Sequence, residues 1–214
     1  MLRPLLLTIA LLPHLLARAE VIDRVAVSVE RQVIAESEVL RQVRITAFLN
    51  GEKPAFTPAV KRATADRLVE QALIRREIEA TRYVPPPEDK AGGYDSFRKT
   101  RYPDVSAYNR ALAEAGITDE EVRQAFEWQA LLLEFINVRF RPGIQIDESE
   151  IREHYQQVLV PEAKSKGEAI PSLEDARDSV EEILLSQRID NALDRWLGQT
   201  RTQTRIRYRR EVFQ

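Results

Sequence analysis

Apolar positions along this chain change period, from two near the start, to three and four through the middle, and back to two at the end. Between Val21 and Ile34, the valines at 25, 27 and 29 alternate with Arg24, Ser28 and Glu30, and Val33-Ile34 follows a polar Glu30-Arg31-Gln32 break. That pattern predicts a short strand or hairpin. Ser37 then offers an N-cap side chain to a helix from Glu38 through Val39, Val43 and Ala47, ended by Asn50-Gly51. Thr57-Pro58 opens a second helix, a capping hydroxyl followed by the residue best suited to the first helical position. Leu68, Val69, Ala72, Leu73, Ile74 and Ile78 extend it to Arg82, before Tyr83-Val84 and the prolines at 85 to 87.

Residues 85 to 103 hold those prolines, Gly92-Gly93 and a cluster of charges, so the pattern predicts a loop or excursion, with Tyr94, Phe97 and Tyr102 either tucked onto the helices or forming a contact surface. Two helices follow, one over about Val105 to Ala115, the other from Thr118, whose spacing to Glu121 makes a capping box. Along the latter, Val122, Phe126, Gln129, Leu133, Ile136 and Phe140 form one seam, and Trp128, Leu132 and Phe135 line another face. A helix apolar nearly all round is central to a bundle or partly offered to a ligand, and about 22 residues give it roughly 33 Å. Arg141-Pro142-Gly143 breaks the pattern, Asp147 with Glu150 restarts it, and Ile151, Tyr155 and Val158 make one apolar face up to Leu159. Residues 160–171, bounded by Pro161 and Pro171, read as a short linker. Ser172 caps a final helix through Val180, Ile183, Leu185, Ile189, Ala192 and Trp196, frayed at Gly198.

The tail, TRIRYRREVF, poses a choice between a nucleic-acid patch and the outer face of a strand. Arg205, Arg207 and Arg209 alternate with Thr204, Ile206 and Tyr208, which predicts a strand with charge on one side. Charge and export support the same choice. MLRPLLLTIALLPHLLARA has a cationic start at Arg3, an apolar run from Leu5 to Leu16, and Ala17 and Ala19 bracketing Arg18. This is the pattern of a signal peptide cut after Ala19, and the run is too short for a membrane anchor of about 20 apolar residues. Of 32 basic side chains, Arg3 and Arg18 leave with it; 30 remain against 34 acidic ones, a net charge of −4. An exported acidic chain is a poor match for a phosphate polymer, so no nucleic acid is expected as a partner, nor stable membrane insertion after cleavage.

Little in the chain points to chemistry. Cysteine is absent, which excludes disulfides and thiol nucleophiles. After residue 19 the one histidine is His154, with no signalled nucleophile beside it. Ser96 to Lys99 matches S-x-x-K but lacks the K-T-G and S-D-N partners. The acids Asp147, Glu148 and Glu150 suit a helix N-terminus and lack the twelve-residue spacing of a calcium loop. No catalytic residue, metal or cofactor is therefore expected, and the chain reads as no enzyme.

The order of these pieces resembles the SurA-type periplasmic chaperones. VIDRVAVSVERQVIAESEVL (21 to 40) is similar to the mature start of that family, and LVEQALIRREIE (68 to 79) to its second helix. AYNRALAEAGITDEEVRQAFEWQALLLEFINVRF (107 to 140) is similar to its paired and long helices, IDESEIREHYQ (146 to 156) to the segment entering its isomerase domain, and ALDRWLGQTRTQTRIRYR (192 to 209) to its closing helix and strand. The resemblance implies a mainly α chaperone module in which a small β element joins the N- and C-terminal strands. It divides the chain into a signal peptide (1–19), a hairpin and helical body (20–159), a linker (160–171) standing where a parvulin-like prolyl isomerase domain would be inserted, and a helix and strand (172–214) completing the same domain. A dozen residues cannot hold such a domain, so isomerase activity is expected to be absent. The implied function is ATP-independent binding of unfolded outer-membrane or secreted polypeptides in an apolar helical cleft, with Tyr94, Phe97, Tyr102, Phe126, Trp128, Leu132 and Phe135 as the candidate contacts. The alternative is a periplasmic scaffold or assembly partner of the same fold.

Overall fold

The structure is a computed structural model and describes residues 23–82 and 92–214. The leader at 1–19 and the prolines at 85 to 87 lie outside the described residues. What is described is mainly helical, with one small antiparallel sheet.

Strands β1 (Val25–Val29) and β2 (Gln32–Ala35) form the expected hairpin, in which Val29 faces Gln32 across a turn whose first residue, Glu30, takes a φ of 51°. A bulge between Val25 and Val27 lets consecutive residues Ala26 and Val27 both go inside. The last strand, β3 (Ile206–Tyr208), returns to the free edge of β1, setting Val27 against Tyr208, Ser28 against Arg207 and Val29 against Ile206. The order is β2-β1-β3, so the chain's two ends are joined through one sheet. Its inner face packs on the second helix, where Val27, Val29, Ile34, Val39, Leu68, Val69, Leu73 and Val212 make one core.

Helix α1 (Glu36–Asn50) starts two residues before its expected beginning. Ser37 is not its N-cap: Ala35 holds that position and has no capping side chain. Asp23, just before β1, takes over the role, accepting the backbone N–H of Ser37 at 3.2 Å and the Ser37 hydroxyl. The cap is supplied across the hairpin, which sequence spacing cannot reveal. Helix α2 (Pro58–Thr81) begins as expected, with Thr57 Oγ1 accepting the Val60 N–H at 3.3 Å.

The expected loop within 85–103 holds a helix, α3 (Gly92–Arg101). Its aromatic residues outweigh the glycine pair, because Tyr94 and Phe97, three positions apart, pack with Phe48, Tyr108 and Phe126. Helix α4 (Val105–Ala115) is capped by Asp104 and stopped by Gly116 at a φ of 65°. Helix α5 (Asp119–Arg139) has the full Thr118–Glu121 capping box. Its expected seam is only partly inside, since Gln129 is exposed and Leu133 is 62% exposed, while Val122, Trp128 and Phe135 are the buried positions.

Helix α6 (Glu148–His154) runs through a π turn at Tyr155–Leu159 directly into α7 (Val160–Lys166). Residues 160–166 of the expected linker are therefore helix, and the chain leaves it only at Gly167, whose φ is 70°. Pro161 lacks an N–H and its ring would clash with the carbonyl four residues back. The wider π turn, with Val160 N–H bonded to the Tyr155 carbonyl, falls immediately before it and relieves that crowding. The extra residue also turns Leu159 onto the cluster of Ile151, Ala176 and Val180, and leaves Val158 outside. Helix α8 (Leu173–Gln203), capped by Ser172, continues past Gly198, where an end was expected. Its 31 residues span about 46 Å at 1.5 Å per residue. Its first half packs on α6 through Ala176 and Val180, and its second half packs on α2 and α5 through Leu193, Trp196 and Leu197.

Candidate functional site

Three helices leave a cleft of about 430 Å³ on their shared face. Each contributes a stripe at helical spacing: Glu38, Arg41, Gln42, Ile45, Thr46 and Leu49 from α1, Arg67, Leu68, Gln71 and Arg75 from α2, and Glu121, Gln124, Ala125, Trp128 and Gln129 from α5. The floor is apolar, because Ile45, Leu68 and Trp128 are buried and Leu49 and Ala125 half-buried. The rim is polar. Arg41 pairs with Glu121 at 3.0 Å, tying α1 to α5, and the Arg75 guanidinium lies over the Trp128 ring, 4.4 Å from its centroid.

Amides dominate the rest of the rim. Gln124 donates to Glu120 at 2.9 Å, whereas the side chains of Gln71 and Gln129 make no hydrogen bond among the described residues. A primary amide both donates and accepts, as a peptide group does. The arrangement therefore offers an apolar floor to a side chain and amide partners to a main chain, and presents no paired nucleophile and base. Ser96 lines a separate shallow niche with Gly93, Phe97, Thr100, Arg101 and Phe126, and His154 is half-buried at the end of α6.

The seven candidate contact residues fall into different places. Tyr94 is buried, its hydroxyl donating to Asp119, and Phe97, Tyr102 and Phe126 pack around Phe48 and Tyr108 in one aromatic cluster. Leu132 and Phe135 belong to a second cluster, where Phe135 meets Phe140 and Trp196 at 5.8 and 5.7 Å. Of the seven, Trp128 lines the cleft, and Phe97 and Phe126 line the niche. Sequence reasoning missed Ile45, Leu49, Leu68 and the amides at 42, 71, 124 and 129. The signal present was the mixed polar and apolar stripe of α1, which reads as an ordinary amphipathic face until two other helices stand opposite it.

Titration beside the cleft is governed by one carboxylate. Burial alone would push Asp119 up, but hydrogen bonds from Tyr94, Tyr108 and Arg123 outweigh it and hold the carboxyl below its ordinary range. Burial raises the phenols of Tyr94 and Tyr108 that donate to it, so both stay protonated donors. This network locks α3 and α4 to the start of α5, and so sets where α5 presents its stripe. Neither a protein-family model nor a curated protein matches the chain.

Proposed function

We propose that the protein is a SurA-like, exported, ATP-independent chaperone-like binder that holds unfolded outer-membrane or secreted polypeptides in the cleft between α1, α2 and α5, without isomerase chemistry. The observation behind this reading is the pairing of an apolar floor at Ile45, Leu49, Leu68 and Trp128 with amide side chains at Gln71 and Gln129 that have no partner among the described residues. An extended segment would bury apolar side chains against the floor at roughly 25 cal/mol per Å² and pair its peptide groups along the rim. The ordered succession of hairpin, helices and closing strand, which resembles the SurA-type chaperones, supports the same reading, as does a leader of signal-peptide pattern.

The test is light scattering from an unfolded outer-membrane protein diluted out of denaturant, with and without this chain. Suppressed aggregation, together with a change in Trp128 emission on adding an extended peptide, is the expected result. No suppression at several-fold excess sinks the proposal and leaves the scaffold alternative. Faster cis/trans exchange in a proline peptide would count against the non-catalytic reading.

A further inference from the structure

We propose that the solvent side of the β2-β1-β3 sheet is a docking face for an anionic lipid surface. Thr204, Ile206 and Tyr208 turn towards the core, while Arg205, Arg207 and Arg209 are exposed, as is Arg210 next to them. At about 3.4 Å per residue, alternate arginines stand roughly 7 Å apart along the strand.

What marks these arginines is that four without a carboxylate partner fall within six consecutive residues. Exposed arginines elsewhere are paired, as with Arg24 and Glu36, Arg177 and Glu148, or Arg188 and Glu150, or stand singly, as Arg110 on α4 and Arg152 on α6 do. Among the described residues, none of Arg205, Arg207, Arg209 and Arg210 has a carboxylate within 4.0 Å. Glu30, in the turn between β1 and β2, accepts the backbone N–H of Arg205 at 2.8 Å. Glu211 is exposed beside Arg210 and offsets part of the charge. A chain of formal charge −2 thus concentrates unpaired guanidinium groups on one face.

The chemistry of that face selects its partner. Guanidinium forks match phosphate oxygens. The row across the strands continues from Arg207 through Ser28 to Val33, an apolar side chain 52% exposed, which suits a surface that is charged outside and apolar just below. The aromatic rings of this region, Tyr208 and Phe213, pack against the core and are not offered to bases for stacking. A flat sheet face also has no element shaped to enter a groove. The contact is peripheral, and no described helix is long and apolar enough to cross a membrane.

The experiment is co-sedimentation of the full chain with phosphatidylcholine vesicles, with and without phosphatidylglycerol, at low and high salt. Binding that requires the anionic lipid and is lost at high salt is expected. The double variant Arg205→Glu, Arg207→Glu should weaken it at least tenfold, since each arginine near such a surface contributes about fivefold. The milder Arg207→Gln should weaken it by about that fivefold, and circular dichroism confirms that both variants fold. A control, Arg110→Glu with Arg152→Glu, reverses as much charge on α4 and α6 and should bind like the double variant's parent. The proposal is overturned if wild type ignores the anionic lipid, if the control loses as much affinity as the sheet variant, or if a single-stranded oligonucleotide binds more tightly than the vesicles.

Discussion

The hydroxyl of Tyr208, on the closing strand, donates to the carboxylate of Asp66 on α2, tying positions 142 residues apart. Arg62 and Arg201 also reach Asp66, each at 3.2 Å, and the Arg62 guanidinium stacks over the Tyr208 ring at 3.7 Å. The end of the chain is thereby anchored to the helix beneath the sheet. Burial, then the hydrogen bond to Asp66, pushes the Tyr208 phenol up to about 12 from an ordinary 10.0.

A phenol whose folded pKa is raised contributes stability that is complete below pH 10.0 and is lost as pH rises towards about 12, because the unfolded chain releases its proton first. Tyr208→Phe should cost about 1 kcal/mol at neutral pH, the net worth of one hydrogen bond. It should also flatten the alkaline fall in stability over that window. Urea titrations of both proteins at pH 8 and at stepped alkaline pH check this; an equal alkaline slope in the variant refutes the assignment.

Acid should act through Asp119. Its carboxyl is held below the ordinary 3.8 by Tyr94, Tyr108 and Arg123, against the burial that opposes this. A depressed carboxylate contributes stability present above its unfolded pKa and lost as pH falls through its folded one. Asp119→Asn should therefore destabilise the protein at pH 7 and lose less than wild type on acidification below about pH 4. Thermal melts across that range measure both effects, and parallel acid profiles would rule the network out as their source.

Much of this architecture was legible where a signal is local. The alternation at 204 to 209, the caps at Thr57, Thr118 and Ser172, and the hairpin at 25 to 35 all depend on neighbours a few residues away, and all appear as expected. The misses depend on distant partners. Asp23 caps α1 from across a hairpin, Tyr94 and Phe97 make a helix of α3 because other helices receive their rings, and α7 survives Pro161 because a π turn precedes it. The cleft was illegible for the same reason: Leu49 and Gln71 become neighbours only when α1 and α2 pack.

Burial separates the two possible roles of the aromatic candidates. Phe135 is 3% exposed and wedged against Phe140 and Trp196, so Phe135→Ala should cost about 3–5 kcal/mol of stability. Half-buried Leu49 on the cleft floor should behave oppositely. Leu49→Gln should cost much less stability than Phe135→Ala, since Leu49 sits half-buried at the edge of the aromatic cluster and not inside it, and should weaken peptide binding at Trp128 several-fold. If Phe135→Ala abolishes aggregation suppression without loss of stability, the binding surface lies at the α5–α8 end instead.

The contact between Asp23 and Ser37 couples formation of the hairpin to formation of α1. The Ser37 hydroxyl, then burial in opposition and the Ser37 backbone N–H, shift the Asp23 carboxyl to a net value below its ordinary range. An N-cap drawn from the far side of a hairpin can act only once β1 and β2 are paired, because Asp23 and Ser37 flank that pair on either side. Asp23→Ala and Ser37→Ala should each lower the melting temperature, and the double variant should lower it less than their sum, since each single change already breaks the shared contact. Ser37→Ala keeps its backbone N–H for Asp23 and should be the milder of the two. Strict additivity would mean that the two residues act separately, with Asp23 steadying the strand alone and the first turn of α1 capped by solvent.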